Sequence, residues 1–431
     1  MFCAPPGRRV VGATLQSRRL VGTPLQSLDS TARVRNFRGP MAGIIIRPRA
    51  RILHGHDWVY SSEVLKVWGD PEPGSIIAVK DGKDRLLGSA IYNAKSQIIA
   101  RRFSRQRQEL DADFFRRRIG MAIRYREKRG ITATAARLVW SESDGLPGVI
   151  VDRYGDHLVL QTLTLAMDMR RDLIVAALVE LLKPASIIER NDAPVRIAEG
   201  MEQRVGVLHG EAPAPFWIQL DAIEFEVDLM HGQKTGLYLD QIGSYATVAT
   251  HARGRRVLDC FANQGAFALA AAKGGAASVL AIEISEDACG NIRRNALRNN
   301  LTVDVRAENV FDFLKAADSI GDRAPYDLIV LDPPSFTRNK GKLEDALRGY
   351  KEIHLRALKL LAPEGMLATF CCSHHVRREL FLDAINDATV DAKRTLRQIA
   401  TFTQAPDHPI IPTLPETEYL KGFLFELVPG R

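Results

Sequence analysis

The 431 residues are long for one domain and comfortable for three. No run reaches the roughly 18 apolar residues of a membrane span, and five scattered cysteines, Cys3, Cys260, Cys289, Cys371 and Cys372, exclude a disulfide framework and a zinc site. The net charge of +8 is uneven: residues 1–40 carry seven basic side chains against one acidic, residues 41–130 nineteen against ten, and the remainder thirty-three against forty. A basic first half that grips a phosphate backbone and an acidic second half that does chemistry fit this division.

The first 40 residues, rich in arginine, serine and threonine and without lysine, have the composition of a transit peptide. From residue 43 to about 105 the segments IIIRPRARIL, SIIAVKD, RLLGSAIYN and SQIIARRFS read as short strands of a small barrel broken by Gly and Pro turns. Arg47, Arg49, Arg51 and Trp58 are candidate RNA contacts there, with Trp58 equally able to serve as core. A helix is predicted over Asp111 to Lys128, with Arg116, Arg117 and Arg118 on its polar face. Residues 136 to about 208 alternate strands around one helix near Arg171 to Leu182. This middle unit would widen an RNA-binding cleft. The hairpin FWIQLDAIEFEVDL then leads into the polar segment Gln233 to Gln241.

Four blocks follow, RVLDCFANQGAF, VLAIEIS, ENVFDFL and YDLIVLDPPSF, each an apolar strand-like run with a polar or glycine-bearing turn at its carboxyl end, where doubly wound sheets place their ligand crevice. In the first, the turn Asn263-Gln264-Gly265 hands over to a helix from Ala266 to Lys273, the glycine letting backbone approach a ligand. The spacing is not that of a pyrophosphate cradle. Asp259 suits a cationic or amine-bearing ligand and would repel phosphate. Glu283 ends the second strand and can accept both hydroxyls of a ribose, ahead of a helix capped by Ser285. Asn309 heads an amphipathic helix with Val310, Phe313 and Leu314 on one face, and its amide can bond an adenine edge. Adenosine without phosphate, carrying a charged amino-acid tail, is S-adenosylmethionine.

The fourth block supplies chemistry. Two prolines stiffen the loop Asp332-Pro333-Pro334-Ser335-Phe336, which can hold a carboxylate and a ring against a flat base. A further strand from Gly365 runs into Cys371 and Cys372 on the same rim, and period-two alternation sends the two thiols to opposite faces. The exposed one is a candidate nucleophile, its thiolate favoured if a helix starting near His374 or His375 points its amino end at it. A thiolate added to carbon 6 of a pyrimidine makes carbon 5 nucleophilic, and an acid at ring nitrogen 3 stabilises the charge. Methylation of an exocyclic amine of guanine or adenine needs only the carboxylate-and-proline loop. A non-catalytic RNA-binding assembly factor is the rival outside enzymes.

The blocks His56 to Tyr60, Glu142 to Gly148, Gly232 to Gln241, Asp332 to Phe336 and Cys371 to Ser373 resemble the bacterial 23S rRNA cytosine-5 methyltransferases built from PUA, EEHEE and Rossmann domains, over about residues 43 to 429. The resemblance implies an α/β fold: a PUA RNA-binding β-barrel over 43–105, an α+β EEHEE domain over 106–210 and a class I, doubly wound methyltransferase domain over 211–431. It also makes MAGIIIRPRA, from Met41, the usual beginning, so residues 1–40 are read as a disordered leader behind an over-extended start. It implies S-adenosylmethionine as cofactor, held by Gln233, Thr235, Asp259, Phe261, Asn263, Gly265, Glu283, Asn309 and Asp332. Cys372 is the implied nucleophile with Asp332 beside it, and Arg47, Arg49, Trp58, Lys234, Pro333 and Phe336 meet the RNA. The substrate would be 23S rRNA or a large-subunit precursor, in a cytoplasmic protein without metal or membrane association; related enzymes are expected to be homodimers. Three positions depart from the family: Cys371 where a small residue such as serine is commoner, Asn309 in place of aspartate, and Ile242 in place of arginine.

Overall fold

The computed structural model describes residues 42–131, 133–232, 236–320, 325–337 and 340–430. The expected leader and the candidate residues Gln233, Lys234 and Thr235 lie outside them. Among the described residues no helix is long and apolar enough to cross a membrane.

The first sheet has six strands in the order Trp58–Val59, Ala100–Ser104, Leu86–Tyr92, Ile76–Lys80, Gly43–Ile46, Val64–Trp68. The segment IIIRPRARIL is extended only through Ile46. Pro48 lacks a donor and Arg49 takes a left-handed φ of 74°, so the chain turns into the 3-10 helix Arg51–His54 instead of continuing the ladder. Likewise SQIIARRFS becomes strand only at Ala100. Gly43 admits the Trp68 ring, whose nearest atom would lie 2.3 Å from an added Cβ.

The second sheet has five strands in the order Arg204–Gly210, Ser186–Asn191, His157–Thr162, Val149–Tyr154, Ala135–Trp140. Helix Ala112–Lys128 starts where the Asp111 carboxylate accepts from the Phe114 N–H at 2.7 Å. It lays Phe114, Phe115 and Ile119 on a core shared with Leu138, Val151, Leu160 and the helix Arg171–Leu182. Buried Arg126 leaves this helix to donate to Asp144 at 2.6 Å and to the carbonyls of Arg137 and Asp407 at 2.9 and 2.7 Å; the Asp407 carboxylate accepts in return from the Arg137 N–H at 2.8 Å. The hairpin Phe216–Leu220 and Ile223–Val227 joins this sheet to the next, packing Ile218 and Phe225 between Tyr154 and Ile188 on one side and Leu269 and Ala296 on the other.

The third sheet comprises β1 (Arg256–Cys260), β2 (Ser278–Glu283), β3 (Asp304–Ala307), β4 (Tyr326–Leu331), β5 (Leu361–Cys371), β6 (Leu396–Phe402) and β7 (Lys421–Leu427), in the order β3-β2-β1-β4-β5-β7-β6. Only β7 runs antiparallel to its neighbours. Strand runs that are apolar at nearly every position follow from burial on both faces. Leu258, Ile329 and Leu367 point into one core, with helices α5 (Leu343–Leu360) and α6 (Arg378–Asp391). Val257, Leu328 and Ala368 point into the other, with α2 (Ala266–Lys273). The chain winds outward from β1 through β3 and returns at β4, so the crevice opens above the carboxyl ends of β1 and β4.

His354 in α5 is fully buried, bonding the Tyr350 carbonyl at 2.6 Å and the Thr369 hydroxyl of β5 at 2.8 Å. Burial pushes its imidazole down from 6.5 to about 4. Because the unfolded histidine takes its proton first as pH falls, the folded state keeps its full stability above pH 6.5 and loses it progressively towards pH 4, by about 3 kcal/mol at 1.36 kcal/mol per unit. Urea unfolding at pH 7 and pH 4 checks this: His354→Gln should flatten the pH dependence by that amount, and an unchanged slope would clear His354.

Candidate active site

Four strand ends supply the acidic and thiol groups. Asp259 lies within β1, Glu283 ends β2, Asp332 follows β4 and Cys372 follows β5. Asp259 is 1% exposed; one carboxylate oxygen accepts from the Ala268 N–H at 2.9 Å, and the other is buried without a hydrogen-bond partner. Burial raises its carboxyl well above the ordinary range, and the charges of Asp332 and Glu283 raise it further against the Ala268 bond. An orphaned carboxylate oxygen facing two more carboxylates is a site short of positive charge. An ammonium or sulfonium group answers that demand; phosphate does not. The donor set therefore fits S-adenosylmethionine.

The β1 turn is built from left-handed residues, Phe261 at φ 64°, Asn263 at 51° and Gly265 at 80°. Glu283 fixes it by accepting from the Asn263 N–H at 2.8 Å and from the Ser285 N–H at 3.0 Å. A Cβ on Gly265 would stand 2.9 Å from the Ile292 side chain, so the close approach the glycine permits here is helix packing. Asn309 is exposed, and its side-chain oxygen accepts from the Phe311 N–H at 2.9 Å at the head of the helix Val310–Ile320, leaving the NH2 group free to donate.

The Asp332 loop continues the sheet, its N–H donating to the Cys260 carbonyl at 3.4 Å. The Asp332 carboxylate accepts from the side-chain amide of buried Gln241 at 2.7 Å, while neighbouring Asp240 accepts from the Tyr419 hydroxyl at 2.5 Å. The Gln264 amide donates to the Gly236 carbonyl at 2.9 Å, so the polar segment borders the turn at Gly236. Phe336 is half-buried against Tyr350, centroid to centroid 4.6 Å, with Phe311 at 5.8 Å and Phe261 at 6.5 Å. Its ring is thus anchored in an aromatic cluster.

The two cysteines separate as period-two alternation requires. Cys371 is fully buried, and burial pushes its thiol up. Cys372 is half-buried, and its thiol donates to the Pro333 carbonyl at 3.9 Å, one residue from Asp332. The helix expected near His374 starts at Arg378 instead, because residues 372–377 form a turn first. Gln241 closes the quoted polar segment without a role of its own in the sequence reading, and Tyr350 and Lys421 carry no expectation there. The last carried a signal, a lone charge in the apolar strand KGFLFEL.

On the basic side, Arg47 and Arg49 are exposed. Trp58 is half-buried, its indole N–H donating to Glu142 at 2.8 Å while the Arg101 guanidinium sits 4.8 Å from its ring centroid. The indole thereby joins the first sheet to the second. Among the described residues no group of His, Cys, Asp or Glu could hold a metal ion.

Residues 201–425 match the model of the S-adenosylmethionine-dependent methyltransferase family, and residues 45–105 match a PUA-like domain. A protein named ribosomal RNA large subunit methyltransferase I from Erwinia tasmaniensis is 39% identical over 384 residues, spanning 88% of this chain and 96% of its own length. One of the same name from Shewanella frigidimarina is 41% identical over 375 residues, 86% and 94% of the two chains. In fold, a Streptococcus mutans protein described as a SAM-dependent methyltransferase superposes with a TM-score of 0.78 at 22% identity, over 90% of this chain and all of its own. A methyltransferase structure complexed with SAH gives the same score and coverage at 23% identity. With its Rossmann-like sheet, its PUA-like amino-terminal domain and S-adenosylmethionine as cofactor, the chain belongs to the S-adenosylmethionine-dependent methyltransferase family that includes the ribosomal RNA large subunit methyltransferase I proteins.

Proposed function

We propose that the protein methylates carbon 5 of a cytosine in 23S ribosomal RNA through a covalent bond from Cys372 to carbon 6. The observation that carries this reading is the thiol of Cys372 at 3.9 Å from the Pro333 carbonyl, which puts a partly accessible sulfur and the Asp332 carboxylate on one rim. The cofactor supplies an electrophilic methyl group. The Cys372 thiolate forms the S–C6 bond and drives electrons to carbon 5, which takes the methyl; loss of the carbon 5 proton then expels the thiolate and restores the aromatic ring. Asp332, oriented by Gln241, hydrogen-bonds or protonates nitrogen 3 while charge builds there. The names of the relatives supply the RNA, and the basic excess over residues 41–130 supplies a surface for its phosphates. Mapping 5-methylcytosine across rRNA from cells with and without the gene tests the reading. One 5-methylcytosine should vanish; loss of a methyl from a guanine or adenine amine would replace it with the exocyclic-amine chemistry.

Glu283 is assigned to the ribose of the cofactor. Glu283→Ala should weaken S-adenosylmethionine binding by about 1.5–3 kcal/mol, the range for hydrogen bonds to a charged group, as read by calorimetry. Asp259→Ala should weaken it as well, and additionally cost stability by about 1–3 kcal/mol because the Ala268 N–H loses its buried acceptor. Unchanged affinity in both variants would misplace the pocket.

A further inference from the structure

Lys421 opens β7 directly opposite Cys371 in the antiparallel pairing with β5. It is 4% exposed, and its ammonium donates to the Ser373 carbonyl at 2.6 Å, the residue after Cys372. Among the described residues no carboxylate stands within ion-pair distance of it; Glu418, which faces it, is engaged by Arg378 at 3.0 Å. A carbonyl supplies a dipole and no counter-charge, so a buried ammonium held this way is costly unless an anion forms beside it. The groups that face Lys421 are the thiols of Cys371 and Cys372 from the end of β5, His374 from the following turn, Arg378 from α6 and Glu418 from the approach to β7. Of these groups Glu418 is engaged by Arg378, and the thiols are the ones that become anions on losing a proton. Cys371 is sealed in the core and further opposed by the charge of Asp332. Cys372 is the thiol that remains open to solvent.

We propose that Lys421 is the positioning residue of the nucleophile: anchored on the Ser373 carbonyl, its ammonium holds Cys372 as the thiolate that attacks the base. This assignment rests on the reading of Cys372 as nucleophile. It adds a cation from the antiparallel strand to a site otherwise built from parallel strand ends, and no helix amino end is needed to activate the sulfur. Burial pushes the Lys421 ammonium down while the two thiols push it up, as expected of a cation and a thiol that stabilise each other's charged forms.

The test is the pH profile of Cys372 alkylation by iodoacetamide, read at the Cys372 peptide by mass spectrometry in the full-length protein. Lys421→Met should slow alkylation about tenfold at pH 7, the thiolate fraction lost when the thiol rises by one unit, with the wild-type and variant rates converging above about pH 10. Lys421→Gln, which retains a donor without the charge, should behave like Met, and Lys421→Arg should restore the wild-type profile. A role in packing alone would move none of these profiles in that order. Superimposable profiles for wild type, Met and Gln would overturn the proposal while leaving Cys372 as nucleophile. Conversely, full methylation by Cys372→Ala would overturn the nucleophile reading, and the alkylation profiles would still decide whether Lys421 ionises the thiol.

Discussion

Cys372→Ala is expected to lower methylation by at least about a thousandfold, the scale on which removal of a covalent nucleophile is felt. Affinities for S-adenosylmethionine and RNA should stay within a factor of a few, because the S–C6 bond exists only along the reaction path. RNA containing 5-fluorocytosine should trap a covalent adduct with the wild type, since fluorine cannot leave carbon 5 as the proton does, and no adduct should form with the alanine variant. Cys371→Ala, fully buried in the core beside α5, should cost about 1 kcal/mol of stability and spare turnover. If Cys371→Ala is instead the dead variant, the chemistry stands and the assignment passes to the other sulfur. Near-normal turnover by Cys372→Ala would hand the reaction to Asp332 and Phe336 acting on an exocyclic amine.

The second large effect belongs to Asp332. Asp332→Asn keeps an oxygen to accept from Gln241 but cannot deliver a proton to nitrogen 3, so kcat should fall by about 10²–10⁴, the range for a general acid or base. The cofactor KM should move much less. A rise in that KM with kcat intact would make Asp332 a cofactor ligand and nothing more.

Much of this site is legible in the sequence because it is local. The turn after β1, the Ser285 cap, the helix Ala266–Lys273 and the opposite faces of Cys371 and Cys372 each follow from neighbours a few residues apart. The same logic fails where a break depends on one backbone angle, as at Arg49, or where a turn delays a helix, as before Arg378. It cannot reach pairings across the chain. Gln241 meets Asp332 from 91 positions away and Lys421 meets the Ser373 carbonyl from 48, and nothing in either segment alone announces the partner. Trp58 fits both expectations held for it only in part: its indole N–H is spent on Glu142, 84 positions on, and its ring carries a guanidinium.

Arg126 has one further consequence. Its guanidinium is shared between Asp144, in the 3-10 turn that follows strand Ala135–Trp140, and the carbonyl of Asp407, which belongs to the loop leaving β6, and that loop answers by capturing the Arg137 N–H. The parts of this protein are therefore not interchangeable cassettes. A recombinant that took the sequence around Arg126 and Arg137 from one ancestor and the sequence around Asp407 from another would keep Arg126 on Asp144 and Asp407 on His408 but lose the two buried hydrogen bonds that cross between them, about 1.5–3 kcal/mol for each bond to a charged group. An exchange that carried the short 405–408 stretch along with the sequence around Arg126 and Arg137 would keep both bonds, so the natural cutting point for a chimera lies beyond that stretch rather than between the sheets.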